Sequence, residues 1–86
     1  MEKRSLFKTA IGLEYEAGTH DAPIIGVKGE NLSADEVVKI AKRYGIPVVE
    51  KPELARALSA LEVEDQVPED LFEAIALVLH QVKKTN

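Results

Sequence analysis

Two histidines are the side chains in this sequence best suited to acid–base or metal chemistry. His20 stands beside Asp21 among turn-forming residues, and such a pair could move a proton in catalysis. A general base must reach the group from which it takes the proton, and the sequence supplies no such group. His80 lies in a helical pattern near the C-terminus, and neither histidine has a second metal ligand at helical or turn spacing. We therefore predict no catalytic residue and no metal site.

The segment GVKGEN places two glycines and a lysine ahead of a helical pattern, as phosphate-binding loops do. Its spacing fits neither G-x-x-x-x-G-K-[ST] nor G-x-G-x-x-G, which favours a strand end and a turn. An acidic group further on lacks the ligand order of a calcium loop and predicts a solvated loop and helix start; it comprises Glu62, Glu64, Asp65, Glu69 and Asp70. Arg56 follows Glu53 by three residues, a spacing that permits a weak surface ion pair. No cofactor is expected.

The composition is that of one small acidic globular domain. The chain has 86 residues, a formal net charge of −4 and no cysteine, which excludes disulfides and thiolate metal sites. No apolar run approaches the roughly 18–20 residues that a membrane helix needs, so we expect a soluble, cytoplasmic chain without membrane insertion. The acidic balance opposes nucleic-acid binding, which requires clustered Lys and Arg.

Two strands are predicted near the N-terminus. TAIGLEYE alternates Ile11, Leu13 and Tyr15 with glycine and glutamate, which predicts a half-buried strand. PIIGVKG is a continuous apolar run between Pro23 and Gly29, and it predicts a more buried strand. The short connection between the two predicts antiparallel pairing.

Three helices and a third strand are predicted in the rest of the chain. NLSADEVVKIAKRYG has the capping-box spacing of Ser33 and Glu36, ends at Gly45, and carries an apolar stripe of Val37, Ile40, Ala41 and Tyr44. IPVVE predicts a strand, while Pro52 and Pro68 each begin a helix.

The predicted order is β-β-α-β-α-α, an α/β (α+β) fold in which helices cover a small mixed sheet of three strands. A right-handed crossover would make the second and third strands parallel. Residues 1–8 are expected to be a flexible basic segment, and residues 9–84 to be a single domain.

Four stretches in the same order resemble one protein family: AIGLEYE, APIIGVKG, GIPVVEKPELARAL and VPEDLFEAIALVL. They are similar to the cytoplasmic C-terminal domain of the type III secretion and flagellar export switch proteins, the FlhB, YscU and EscU family. The similarity covers roughly residues 9 to 83. It implies a non-enzymatic component or regulator of type III export, in the cytoplasm or peripheral to the membrane export apparatus. The expected partners are the membrane protein of the export gate and the export substrates, with no nucleic acid among them.

The chain departs from that family ahead of the first strand. Family members carry a membrane domain and an Asn-Pro-Thr-His motif, in which the Asn side chain attacks its own carbonyl and cuts the chain. The equivalent positions here are Ser5, Leu6, Phe7 and Lys8, so the nucleophile is missing. The chain is therefore expected to be a free-standing counterpart of the fragment that cleavage releases, with one sheet edge open or filled by a partner.

The resemblance also implies a docking patch for a short apolar segment of an export substrate. Carried over by motif, the patch comprises Ala22, Pro23, Ala76 and Leu79. Ala76 and Leu79 are three residues apart and share a helix face, although Leu79 could equally belong to the core. Two other functions stay open: a small β/α module that binds RNA or a ligand through the basic ends and the GVKG turn, and a small enzyme, which would lack a nucleophile–base pair.

Because no asparagine occupies the 5–8 segment, we predict that the chain does not cut itself there. Intact-mass spectrometry after prolonged incubation of the purified protein at neutral and mildly alkaline pH should give one undivided mass. A time-dependent product that begins at Leu6, Phe7 or Lys8 would contradict the prediction.

Overall fold

The structure is a computed structural model that describes residues 5–15, 18 and 22–84, with side chains as far as Val82. Its elements in chain order are β1 (Thr9–Glu14), β2 (Ile24–Glu30), α1 (Leu32–Arg43), α2 (Pro52–Leu58), a 3-10 helix (Glu69–Leu71) and α3 (Phe72–Lys84). Across these residues, no helix is both long and apolar enough to cross a membrane.

The antiparallel pair β1 and β2 separates two hydrophobic clusters. On one face, Ala10 packs with Ala34 and Val38 of α1. The main core lies on the other face, where α2 and α3 cover the sheet; its buried members are Ile25, Leu58, Val67 and Ile75. Alternation along β1 explains the division, because Ile11 and Leu13 point to the face opposite Ala10.

An irregularity in the pairing of β1 with β2 adjusts which residues of β2 face the main core. The register pairs Gly12 with Val27 and Leu13 with Ile25, so Gly26 has no opposite residue. An extra residue of this kind is a β-bulge, and it shifts the alternation of the strand by one position. Lys28 and Ile25 therefore both reach the α2 side of the sheet, where Lys28 contacts the end of α2.

The outer edge of β2 is paired with an irregular segment rather than with a third strand. The N–H of Val67 donates to the carbonyl of Pro23 at 2.8 Å, and the N–H of Ile25 donates to the carbonyl of Asp65 at 3.0 Å. Ile24 and Gln66 form an isolated antiparallel bridge at the same place. The segment before α3 is thus fixed to the start of β2.

The predicted three-stranded mixed sheet is wrong, because the sheet of the described residues has two strands and is antiparallel. Residues 46–50 form no strand, although their sequence is rich in β-branched residues. The edge of β2 that a crossover strand would join is already occupied by residues 64–67. The N–H of Ile46 instead donates to the carbonyl of Ala41 at the end of α1, and Pro47 has no N–H to give.

The start and the buried face of α1 also differ from the prediction. The helix begins at Leu32 after Asn31, which has a φ of 57°, and Ser33 caps nothing. Ala34 and Val38 are the buried residues, whereas Ile40 and Tyr44 are exposed. The reason is tertiary, since the sheet surface above Ala10 and Gly29 admits only the face of α1 that carries the small side chain of Ala34. Two other predictions are confirmed: α2 begins at Pro52, and α1 stops at Gly45, whose φ is 73°.

Gly29 is where α1 comes closest to the sheet. A Cβ at this position would lie 2.9 Å from the carbonyl carbon and oxygen of Ser33, both of them backbone atoms. Backbone in a packed helix cannot give way as a flexible side chain can. The second glycine of GVKG is therefore needed for packing.

We predict that Gly29→Ala lowers the free energy of unfolding by about 1–3 kcal/mol, because the added methyl overpacks the contact between β2 and α1. Chemical denaturation followed by circular dichroism measures it. Gly26→Ala is the matched control, since a Cβ there meets only the side chain of Glu14, which can move. Equal losses for the two variants would contradict this account of Gly29.

Candidate functional site

An open pocket of about 330 Å³ lies where β2, the 66–69 segment and α3 meet. Four of its six lining residues are apolar, but its exposed surface is more polar than apolar; the lining comprises Ala22, Gln66, Val67, Pro68, Glu69 and Phe72. This volume admits one branched aliphatic or aromatic side chain from a partner. The pocket therefore has the size of a site for one side chain, with apolar contacts from Pro68 and Phe72 and polar groups at Gln66 and Glu69.

Backbone hydrogen bonds hold the two walls of this pocket together. The bond from Val67 to the carbonyl of Pro23 ties the residues just after Ala22 to the opposite wall. Val67 is 2% exposed and belongs to the main core, so the pocket floor is fixed from below. Pro68 is extended, and its carbonyl accepts a bond from Leu71 as the 3-10 helix begins. Backbone hydrogen bonds and the buried Val67 thus fix the wall that residues 66–69 form.

A stripe of apolar side chains continues from the partly buried Phe72 at this pocket to exposed residues further along α3. Phe72, Ala76 and Leu79 are four and three residues apart, a spacing that puts them on one face of the helix. Ile75 borders this stripe on its inner side, where it is 2% exposed and packs in the core. Ala76 is exposed, and Leu79 exposes 44% of its surface. Leu79 is therefore a surface residue, not a core residue.

The structure brings together part of the docking patch that the family resemblance implies. Ala22 lines the pocket, although it is only 6% exposed. Pro23 is buried beside it and supports the wall through its carbonyl. Ala76 and Leu79 lie one and two turns along α3 from the pocket. Phe72, which joins the two halves, was missed by sequence reasoning; its position four residues before Ala76 was the available signal.

The residues that the family resemblance predicts to stand in place of the self-cleavage motif are hydrogen-bonded to the first turn of α1. The backbone N–H groups of Leu6 and Phe7 each donate to the Asp35 carboxylate at 2.9 Å. The side chain of Leu6 is 84% exposed. Ser5 is partly buried and Lys8 is exposed.

Lys28, the lysine of GVKG, bonds to the protein's own backbone. Its Nζ donates to the carbonyls of Ser59 at 3.0 Å and Leu61 at 2.8 Å. These carbonyls follow α2, where a cation also complements the negative end of the helix dipole. The ammonium group of Lys28 is therefore already hydrogen-bonded within the protein, which counts against a phosphate or RNA site at this turn.

The remaining candidate residues do not converge. His20 and Asp21 lie outside the described residues. His80 and Arg56 are exposed. Within the part of the chain that the structure describes, no group of histidine and acidic side chains could hold a metal ion.

Residues 7–82 match the family described as "FlhB HrpN YscU SpaS Family". The flagellar biosynthetic protein FlhB of Aquifex aeolicus is 42% identical over 74 residues, which are 85% of this chain and 21% of that protein. The chain thus spans about a fifth of the length of this relative. YlqH, an uncharacterized protein of Bacillus subtilis, is 31% identical over 84 residues, which are 98% of this chain and 90% of YlqH.

Two solved structures are similar in fold as well as in sequence. The C-terminal domain of PscU superimposes with a TM-score of 0.81 at 37% identity, over 87% of this chain and 96% of the PscU chain. A variant of the EscU C-terminal domain gives a TM-score of 0.82 at 31% identity, over 88% of this chain and 77% of the other.

We predict that Lys28→Met destabilises the fold by on the order of 1–3 kcal/mol, because it removes charge-assisted hydrogen bonds from two carbonyls that follow α2. Lys39→Met is the control, since Lys39 is exposed on α1. Urea denaturation of both variants measures the difference. The structural role of Lys28 would be refuted if the two variants matched the wild type.

Proposed function

Because this chain belongs to the FlhB HrpN YscU SpaS family, we propose that it acts in type III or flagellar protein export as a non-enzymatic, cytoplasmic protein-binding module. Support comes from relatives named as flagellar biosynthetic proteins and, in Salmonella typhimurium, as a secretion system apparatus protein. Its partners are export substrates or proteins of the export gate.

The observation that carries this proposal is the pocket at Ala22 and Phe72 together with the exposed stripe on α3. The pocket accepts one apolar side chain, and the stripe gives the neighbouring residues of the partner a surface to lie on. Ala76 leaves a shallow position between Phe72 and Leu79, so an extended segment can approach the helix closely. The docked element is thus a short apolar segment of a protein, in contact with Ala22, Ala76 and Leu79 and supported by Pro23.

RNA binding is the less favoured alternative. The basic turn that it would use is held to the backbone through Lys28, and the pocket rim carries the carboxylate of Glu69. Phosphate groups need unpaired cations, so this surface suits a protein segment better than a nucleic acid.

We predict that Leu79→Asp and Ala76→Asp weaken capture of export substrates about tenfold or more, because each puts a charge into an apolar contact. Leu77→Asp is the matched control: Leu77 is 63% exposed, and two residues along a helix it points about 160° away from Leu79. Pull-down and fluorescence anisotropy with purified rod or hook substrates measure binding. Equal binding by all three variants and the wild type would remove this patch from the proposal.

Complementation tests the proposed function itself. We expect the chain to restore partial protein export and motility to a flagellated strain whose FlhB lacks its C-terminal domain. The Leu79→Asp variant should restore less than Leu77→Asp at equal abundance in immunoblots. No restoration, together with empty pull-downs against both substrates and gate proteins, would refute a role in export.

A further inference from the structure

The charges around the pocket are of one sign. From Ala57 to Leu79 the sequence contains no Lys or Arg. The same stretch carries acidic residues that are all exposed: Glu62, Glu64, Asp65, Glu69, Asp70 and Glu73. Most of the described basic side chains are instead on or beside α1 and α2, at Lys39, Lys42, Arg43, Lys51 and Arg56. The pocket therefore lies in the negative part of the chain, whereas the α1 and α2 region carries both signs, with acidic residues at Asp35, Glu36, Glu50 and Glu53.

These carboxylates lie close to the apolar surface. Glu69 lines the pocket itself. Glu73 follows Phe72 in the first turn of α3 and is three residues before Ala76, so it borders the Phe72–Ala76 side of the helix. Glu64 and Asp65 directly precede Gln66 at the pocket rim, and the bond between the Glu64 N–H and the Ile25 carbonyl fixes this backbone. Carboxylates thus flank the pocket on two sides.

Among the described residues, no Lys or Arg forms an ion pair with these six acidic side chains. Asp65 is the one whose carboxylate accepts a hydrogen bond, from the N–H of Glu62 at 2.9 Å. The helix dipole gives Glu69, Asp70 and Glu73 a structural reason to be near the start of α3. It gives none to Glu62 and Glu64, which lie in the preceding turn. Unpaired charges of one sign around an apolar pocket attract a partner of the opposite sign.

We propose that the segment captured by this pocket is an apolar anchor flanked by Lys or Arg, and that the carboxylates around the pocket select it over acidic segments. This inference rests on the proposed docking function and adds the charge of the partner to it. The apolar side chain fills the pocket, while the flanking cations approach Glu69 and Glu73 from solvent. Because these charges are exposed, they contribute selectivity and association rate more than tight affinity.

The test uses three fluorescein-labelled peptides with the same central Phe and Leu anchors and with Lys, Gln or Glu in the flanking positions. Anisotropy titrations against the full chain should rank them Lys, then Gln, then Glu, with about tenfold between the first and the last. Raising the ionic strength from about 0.05 M to about 0.5 M should reduce the preference to near unity, because salt screens exposed charges. A fourth peptide with Ala in place of both anchors should not bind.

Charge reversal in the protein completes the test. Glu69→Lys and Glu73→Lys should abolish or invert the ranking, while Glu36→Lys, an equal charge change on an exposed face of α1, should preserve it. Equal binding of the Lys, Gln and Glu peptides would overturn this inference and leave the docking function intact. Failure of all of these peptides to bind would instead count against docking at the pocket. A preference for the Lys peptide that survives in both Glu69→Lys and Glu73→Lys would overturn the assignment of the selectivity to these carboxylates.

Discussion

The fold depends on Ile25, where backbone pairing and side-chain burial meet in one residue. Its side chain is fully buried at the centre of the main core. Its N–H and its carbonyl bond to Asp65 and Glu64 on the side of β2 that faces away from β1. A small domain has few such residues, because it buries a limited share of its surface. Loss of this pairing would release the segment that carries Val67, and the core would open beneath the pocket.

The pocket is a consequence of that pairing. Residues 64–67 run along the outer edge of β2 as a neighbouring strand would, and they then lead into the 3-10 helix before α3. Phe72 is thereby brought beside Ala22, which lies fifty residues earlier in the chain. No sequence pattern links the two residues. The first turn of α3 is half packed against the core and half open to solvent. A binding surface at such a boundary is preformed, so a partner has little ordering of the protein to overcome.

The two ends of the molecule present different surfaces. Around the pocket, exposed apolar side chains are interspersed with carboxylates, whereas α1 and the segment after it carry basic residues and the exposed side chains of Ile40, Tyr44 and Ile46. Exposed apolar groups close together on a chain of this size are typical of protein interfaces. A chain that assembles with other proteins fits these features better than one that acts alone on a small molecule.

Sequence alone determined the family and several local elements, because prolines, glycines and apolar periods act over a few residues. Pro52 at the start of α2, the stop at Gly45 and the antiparallel β1–β2 pair follow from such signals. Tertiary contacts decided three outcomes. Residues 46–50 stayed unpaired because residues 64–67 occupy the edge of β2, and α1 turned Ala34 inward because Gly29 permits close approach. On α3, Ile75 is buried in the core, whereas Leu79, one turn further on, is exposed. The proposed docking residues could be named from a motif, but Phe72 and the pocket required the fold. Which neighbour takes an edge or a face depends on competition between distant segments, and local sequence does not encode that competition.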